Sequence, residues 1–318
     1  MEQFFNSIWF DLIMLVVGFV LLIKGADFFV DGSSSIAKKF RIPSIIIGLT
    51  VVSLGTSLPE LASSVTASLA GSNEIAISNV VGSNLFNLMV VVGFCALMSS
   101  VSVDNNMLKR DIPISISAAI LLLTLCAIGS TLGRIDSAIL LVLFVSYIAL
   151  LIIYAMKNRT DDDEEDEVKE RNIILSLVFV IGGIVAIKFG GDFVVNSARD
   201  IAVTFGMSET LVGMTIVALG TSLPELVTSM IAAKKGESDL ALGNVVGSNI
   251  FNIVYILGMS AVVSPITVDI LAVIDTIAVI GVSALVLLFA ATDRKVNRVE
   301  GAIMLAAYIG YFIYMFVR

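Results

Sequence analysis

Residues 55–61 read Gly-Thr-Ser-Leu-Pro-Glu-Leu, and residues 220–226 read Gly-Thr-Ser-Leu-Pro-Glu-Leu again. Each copy lies inside a long apolar stretch, and Glu60 and Glu225 stand 225 − 60 = 165 residues apart. A carboxylate at the centre of a bilayer costs roughly 2.5–3.5 kcal/mol on insertion scales. The chain accepts that cost twice, each time beside two hydroxyls and a helix-breaking proline. The pattern points to a duplicated ion site inside a membrane.

The rest of the chain repeats at the same offset. Asp27 matches Asp192, Gly71 matches Gly236 and Asp104 matches Asp269. Asn79-Val80-Val81-Gly82-Ser83-Asn84 matches Asn244-Val245-Val246-Gly247-Ser248-Asn249. With one residue slipped, Arg134-Ile135-Asp136 matches Arg298-Val299-Glu300. The repeat covers nearly the whole chain, which argues for duplication.

Composition sets the environment. The apolar fraction is 58% and charged residues make up 14%, against about 25% in a soluble domain. Runs of ~20 apolar residues recur, as a helical span requires. Ten are expected, at 8–30, 43–70, 75–100, 110–128, 134–156, 173–196, 208–233, 239–263, 270–291 and 297–317. They are expected to be helices, because an open, lipid-exposed strand cannot satisfy its backbone. The whole chain, 1–318, therefore reads as one all-α membrane transport domain.

Charge excludes other roles. Of the net −8, seven acids lie in the run Asp161 to Glu167, and removing them leaves 27 − 7 = 20 acids against 19 bases. There is no basic stripe for nucleic acid. No histidine occurs, which disfavours zinc chemistry and imidazole relays. Cys95 and Cys126 fall near opposite membrane faces, so no disulfide is expected. The N-terminus lacks the basic start of a cleaved signal peptide, and the first apolar segment reads as a retained span.

Each repeat holds five spans, the first within 1–156 and the second within 173–318. Five is odd, so the second copy enters the membrane upside down. Inverted repeats are a transporter architecture, with sites at the midplane where the halves meet. One set of loops carries Lys38, Lys39, Arg41, Lys109, Arg110, Lys157, Arg159, Lys169, Arg171, Lys234, Lys235, Arg294, Lys295 and Arg298; the other side carries Arg134, Arg199 and Arg318. By the positive-inside rule the first set is cytoplasmic and both termini lie outside the cell membrane. The acidic stretch 157–172 is then a solvated cytoplasmic linker.

The chemistry sits on four helical faces, two in each repeat. Thr56 and Ser57 precede Glu60 by four and three residues, so all three share a face, which Ser64 extends. Pro59 has no N–H, so the carbonyl of Gly55 loses its helical partner. Thr221, Ser222, Glu225 and Ser229 repeat this, with Pro224 freeing Gly220. Downstream, Ser83 and Asn87, and Ser248 and Asn252, are each four apart and can add neutral oxygens. Glycine beside them permits close packing or an unwound turn. All are hard oxygen ligands, suited to Ca²⁺, which takes six to eight, and to Na⁺; no soft ligand is placed for a transition metal. Two carboxylates sharing a site repel, so one is expected to hold a proton when no ion is bound. One Ca²⁺, two Na⁺ or two H⁺ would cancel them, and three Na⁺ would leave an excess of one.

These elements resemble the sodium/calcium exchanger family, within the calcium/cation antiporter superfamily, whose two α-repeats look like the Gly-Thr-Ser-Leu-Pro-Glu and Gly-Ser-Asn elements here. The resemblance covers essentially all 318 residues. It implies a ten-helix prokaryotic type without a large regulatory loop. Spans two, three, seven and eight would form a core of broken helices, and spans one and six would slide across it. It implies metal ligands at Thr56, Ser57, Glu60, Ser83 and Asn87 in one half and Thr221, Ser222, Glu225, Ser248 and Asn252 in the other. Ser53 and Ala218 would offer backbone carbonyls. Some family members have aspartate at the position of Asn252; asparagine here leaves two ionisable groups rather than three.

The reading is therefore an antiporter exchanging Na⁺ for Ca²⁺ by alternating access, with H⁺/Ca²⁺ exchange as the alternative. It needs no cofactor beyond the transported Ca²⁺ and Na⁺, or H⁺, and is expected to work as a monomer in membrane lipid. An intramembrane hydrolase using Ser57 or Ser222 would need a base, and no histidine or lysine lies nearby in sequence. Lys24 with Asp27, and Lys188 with Asp192, read as local ion pairs near an interface. Glycines in span one (Gly18, Gly25) and span six (Gly182, Gly183, Gly190, Gly191) suit smooth helix contact.

Overall fold

The computed structural model describes residues 2–158, 172–208, 212, 215–216 and 218–317. The acidic run 161–167 and nearly all of the expected linker 157–172 lie outside these residues, as does part of the expected span 208–233. The described chain is almost entirely helical.

Helix α1 (Glu2–Phe40) leads to α2 (Ser44–Ile47), a π-helical turn (Gly48–Val52), α3 (Ser53–Thr56) and α4 (Leu58–Leu69). Next come α5 (Asn73–Phe86), a π-helical turn (Asn87–Val91), α6 (Val92–Met98), the short strand β1 (Val101–Ser102) and another such turn (Met107–Asp111). Then follow α7 (Ile112–Gly129), β2 (Thr131–Leu132), α8 (Arg134–Lys157), α9 (Ile173–Thr204), α10 (Ala218–Gly220) and α11 (Leu223–Lys234). The chain closes with α12 (Ser238–Phe251), a π-helical turn (Asn252–Ile256), α13 (Leu257–Val263), β3 (Ile266–Thr267), α14 (Ile270–Asp293), β4 (Lys295–Val296) and α15 (Arg298–Val317).

Among the described residues, seven helices are long and apolar enough to cross a membrane, and the bent pair Ser44–Thr56 and Leu58–Leu69 would make eight. The chain is thus a multi-pass membrane protein. Trp9, Val142 and Ile181 turn outward and are over 60% exposed, as lipid-facing apolar side chains do. Most of the apolar core of the helical stretches Asn73–Met98 and Ser238–Val263 is buried, whereas little of that of α8 is; the two former lie at the centre and α8 at the rim.

The sequence offset reappears in the backbone. Helices α4 and α11 start at Leu58 and Leu223, and α5 and α12 end at Phe86 and Phe251, each 165 residues apart. A π-helical turn follows immediately at Asn87 and at Asn252. Gly71 and Gly236 both take positive φ, +78° and +82°, which closes the helix before them at little steric cost. The strands then link the halves crosswise. β1 pairs antiparallel with β4, Val101 opposite Val296, and β2 with β3, Leu132 opposite Ile266. Val103 N–H to Arg294 O at 2.8 Å and Val268 N–H to Ser130 O at 3.0 Å extend the two clips.

α1 and α9 pack against each other along their length, backbone to backbone. A methyl group at Gly183 would come within 2.7 Å of Phe29 Cβ, and one at Gly190 within 2.6 Å of Leu22 N. Gly18 and Gly25 face the same seam. Gly182 does not; space beside it is open. Both helices overrun the expected spans 8–30 and 173–196, because nothing in Asp31–Phe40 or Ser197–Thr204 breaks a helix, and Pro43 comes three residues after α1 ends. At ~1.5 Å per residue, α1 is longer than a bilayer's hydrocarbon is thick.

The ion pairs differ from expectation at one place. Lys188 pairs with Asp192 within α9 as expected. Asp27 does not pair within its own helix: Lys24 is exposed, and Asp27 and Asp31, one turn apart, both lie 2.5 Å from Lys235 Nζ at the end of α11. Sequence spacing favours neighbours on one helix, but a lysine from a packed helix can reach two carboxylates at once.

Candidate ion-binding site

The bend that builds the site follows from proline chemistry. Pro59 and Pro224 fall in the first turn of α4 and α11, where a missing N–H costs nothing. The helix preceding each has to stop, and it stops at Ser57 (φ −84°, ψ 7°) and Ser222 (φ −93°, ψ 5°). In the first half the axis turns by 48° there. Each break thus places Thr-Ser on one side and Glu three residues on, with both side chains turned to the protein interior.

The two halves then complete each other. Ser57 Oγ donates to Glu225 Oε1 at 2.9 Å, and Ser222 Oγ donates to Glu60 Oε1 at 3.1 Å. Thr56 Oγ1 lies 3.0 Å from Asn244 Oδ1, and Thr221 Oγ1 lies 3.4 Å from Asn79 Oδ1. Asn244 and Asn79 in turn donate to Ser229 Oγ and Ser64 Oγ, at 2.9 Å each. Ser222 Oγ also lies 3.0 Å from Ser83 Oγ. Thr56 and Ser248 face the Glu225 carboxylate and Thr221 faces that of Glu60, while the two carboxylates are close enough to repel one another.

Glu60, Glu225, Thr56, Ser222, Asn87, Ser248 and Asn252 are fully buried, Ser57 and Ser83 nearly so. Among these nine side chains, five oxygens have no hydrogen-bond partner: Oε2 of Glu60 and of Glu225, Oδ1 of Asn87 and of Asn252, and Oγ of Ser248. Bare buried oxygens are costly, about 1–3 kcal/mol each. Four of the five come as matched pairs, one from each half. This is the donor chemistry of a hard cation.

Thr56, Ser57, Ser248 and Glu225 meet, as do Thr221, Ser222, Ser83 and Glu60, while Asn87 and Asn252 bond to Asn249 and Asn84 rather than to a glutamate. Ser53 O accepts the Ser57 N–H at 3.0 Å and also lies 3.4 Å from Thr56 Oγ1, so this carbonyl is not free. Ala218 lies in α10, one turn before the second break. Four residues escaped the sequence reading as site members: Asn79 and Asn244, which hold the threonines, and Asn84 and Asn249, beside the ligand asparagines. Their signal was present, since all four recur at the 165-residue offset. A separate cavity of about 290 Å³, between α7 and α8, is lined by Ile114, Leu121, Leu143 and Tyr147 and holds no acid.

Comparisons with known proteins converge on this architecture. The family model described as "Sodium/calcium exchanger protein" matches residues 10–153 and 175–317. The chain is similar to the sodium/calcium exchanger MaX1 of Methanosarcina acetivorans, at 34% identity over 96% of this chain and 98% of that protein. It is similar to the inner membrane protein YrbG of Escherichia coli, at 37% identity over 81% and 82%. Its fold superposes on a solved structure of the sodium-calcium exchanger NCX_Mj with a TM-score of 0.84, at 32% identity over 96% of this chain and 98% of that one.

Proposed function

We propose, from the premise that this chain belongs to the sodium/calcium exchanger family of membrane antiporters, that it exchanges Na⁺ for Ca²⁺ through the pocket between Glu60 and Glu225. The family moves ions rather than catalysing reactions, and Ca²⁺ and Na⁺ enter as cargo. The observation that carries the reading is the reciprocal pair Ser57–Glu225 and Ser222–Glu60, which leaves one bare oxygen on each glutamate.

Thr56, Ser57, Glu60, Ser83, Asn87, Thr221, Ser222, Glu225, Ser248 and Asn252, with the carbonyls of Ser53 and Ala218, would form the cage. One Ca²⁺ neutralises the two carboxylates; Na⁺ ions replace it in the opposite step. A site that both cargoes need cannot hold them together, and that competition couples the two fluxes.

Ten crossings arranged as two inverted five-helix repeats fit the strand pairing. α7 runs from β1 to β2 and α14 from β3 to β4, and since β1 pairs with β4 the two helices run in opposite directions. The same alternation puts β1–β4 with the basic loops, hence at the cytoplasmic face of a cell membrane, and both termini outside. The glycine seam makes α1 and α9 one unit. Phe29 and Ile184 lie over Gly55, and Val195 over Gly220, so this unit covers both breaks and its movement would open the pocket to either side in turn. Nothing in the cage requires a second copy of the chain.

Flux into proteoliposomes tests the reading. ⁴⁵Ca²⁺ uptake should follow an outward Na⁺ gradient. Uptake indifferent to Na⁺ but driven by a pH gradient in sodium-free buffer would replace it with H⁺/Ca²⁺ exchange.

A further inference from the structure

Asn84 and Asn249 close a reciprocal ring with each other, and each also holds one of the ligand asparagines. Asn84 Nδ2 donates to the main-chain oxygen of Asn249 at 3.2 Å, and Asn249 Nδ2 to that of Asn84 at 3.4 Å. A backbone carbonyl only accepts, so these bonds fix which end of each amide is nitrogen. Each Oδ1 is then free to accept. Asn84 Oδ1 takes Asn252 Nδ2 at 3.0 Å, and Asn249 Oδ1 takes Asn87 Nδ2 at 3.2 Å. The nitrogen ends of Asn87 and Asn252 are thereby engaged, and their oxygen ends are the ones left buried and bare. Asn87 lies one helical turn beyond Ser83, whose hydroxyl meets the Ser222–Glu60 pair.

We propose that Asn84 and Asn249 are positioning residues that set both the orientation and the charge of the cage. Each turns the carbonyl oxygen of its partner, Asn252 or Asn87, toward the cation. Each also selects against aspartate there. A carboxylate at position 252 has no N–H to give and would set acceptor against the acceptor Asn84 Oδ1. Asn84 cannot rotate its amide to help, because its oxygen would then face the Asn249 carbonyl. The ring thus holds the pocket at two carboxylates, matched to one divalent ion. This inference rests on the pocket being the ion site.

The test is a sign change between backgrounds, read as Ca²⁺ affinity by calorimetric titration of the full-length protein. In the wild-type background Asn84→Ala should weaken Ca²⁺ binding by about tenfold, the scale of a lost hydrogen bond near a charged group. In an Asn252→Ala background it should add nothing, since it acts through that side chain. In an Asn252→Asp background it should strengthen binding, by relieving the facing acceptors. Equal weakening in all three backgrounds, or no effect in the first, overturns the proposal. If Asn84→Ala does not fold, the mirrored set on Asn249 and Asn87 carries the same three-way comparison. Wild-type protein that binds no Ca²⁺, or a Glu60→Gln variant that binds it normally, would instead overturn the ion site itself.

Discussion

Ser57 Oγ sits 2.9 Å from Glu225 Oε1, although 168 residues separate them, while Glu60, three residues away, receives its hydroxyl from Ser222 in the other half. The pocket is therefore not two sites side by side. Each glutamate is held by a hydroxyl of the opposite repeat, and neither half contains a finished set of donors.

This crossing has a thermodynamic signature. A hydrogen bond to a charged group is worth about 1.5–3 kcal/mol, so Ser57→Ala should lower stability in ion-free buffer by that order. A double-mutant cycle on thermal unfolding should find Ser57 coupled to Glu225 and not to Glu60. Coupling to Glu60 alone would mean the donors pair within each half.

Glu60→Gln and Glu225→Gln should each abolish Ca²⁺ flux while leaving a monodisperse, folded protein. Ligand binding raises stability by about 2.7 kcal/mol at a hundred times Kd. Wild-type protein should accordingly show a Ca²⁺-dependent rise in unfolding temperature that both variants lack. Transport retained by both would place the pocket elsewhere.

Lys235 links α11 to Asp27 and Asp31 of α1 across a partly exposed contact. Exposed pairs contribute roughly 0–1 kcal/mol, so Lys235→Ala should barely alter the melting temperature. It should alter how α1 is distributed against the core. Cysteine accessibility on the Lys235 side of the pocket is the measurement, and an unchanged labelling rate would show that the link does not hold α1.

Adjacent glycines separate packing from helix propensity. Gly183→Ala drives a methyl into Phe29, and overpacking of this kind costs typically 1–3 kcal/mol. Gly182→Ala meets open space and should be neutral or stabilising by up to about 1 kcal/mol. Thermal unfolding in detergent compares the two directly; equal effects would remove the seam as a constraint.

The duplication, the membrane environment and the paired glutamates were legible because each leaves a local mark: a repeated heptapeptide, apolar runs, an acid where lipid should forbid one. The crosswise bonding was not legible. A 165-residue offset says that two halves are alike, and it is equally satisfied by halves that each bond to themselves. Asn79, Asn84, Asn244 and Asn249 were visible as repeated residues, yet their roles depend on which backbone carbonyls face them. The Asp27–Lys235 contact was hidden for the same reason, since helical spacing ranks Lys24 first. α1 and α9 run past the apolar stretches because polar residues look like an exit from the membrane but do not break a helix; here the left-handed Arg41 and Gly206 follow the two ends.

The β1–β4 and β2–β3 clips join the halves by main-chain hydrogen bonds at both ends of the molecule, and among the described residues they involve neither α1 nor α9. The body is thus braced like a girder, while the long helix pair meets it through side-chain contacts, one of them from Lys235 to the Asp27 carbonyl. Backbone ladders are stiff and side-chain seams are compliant. If the proposed exchange operates, its movement would follow that compliant direction, along the seam that, among the described residues, no strand crosses.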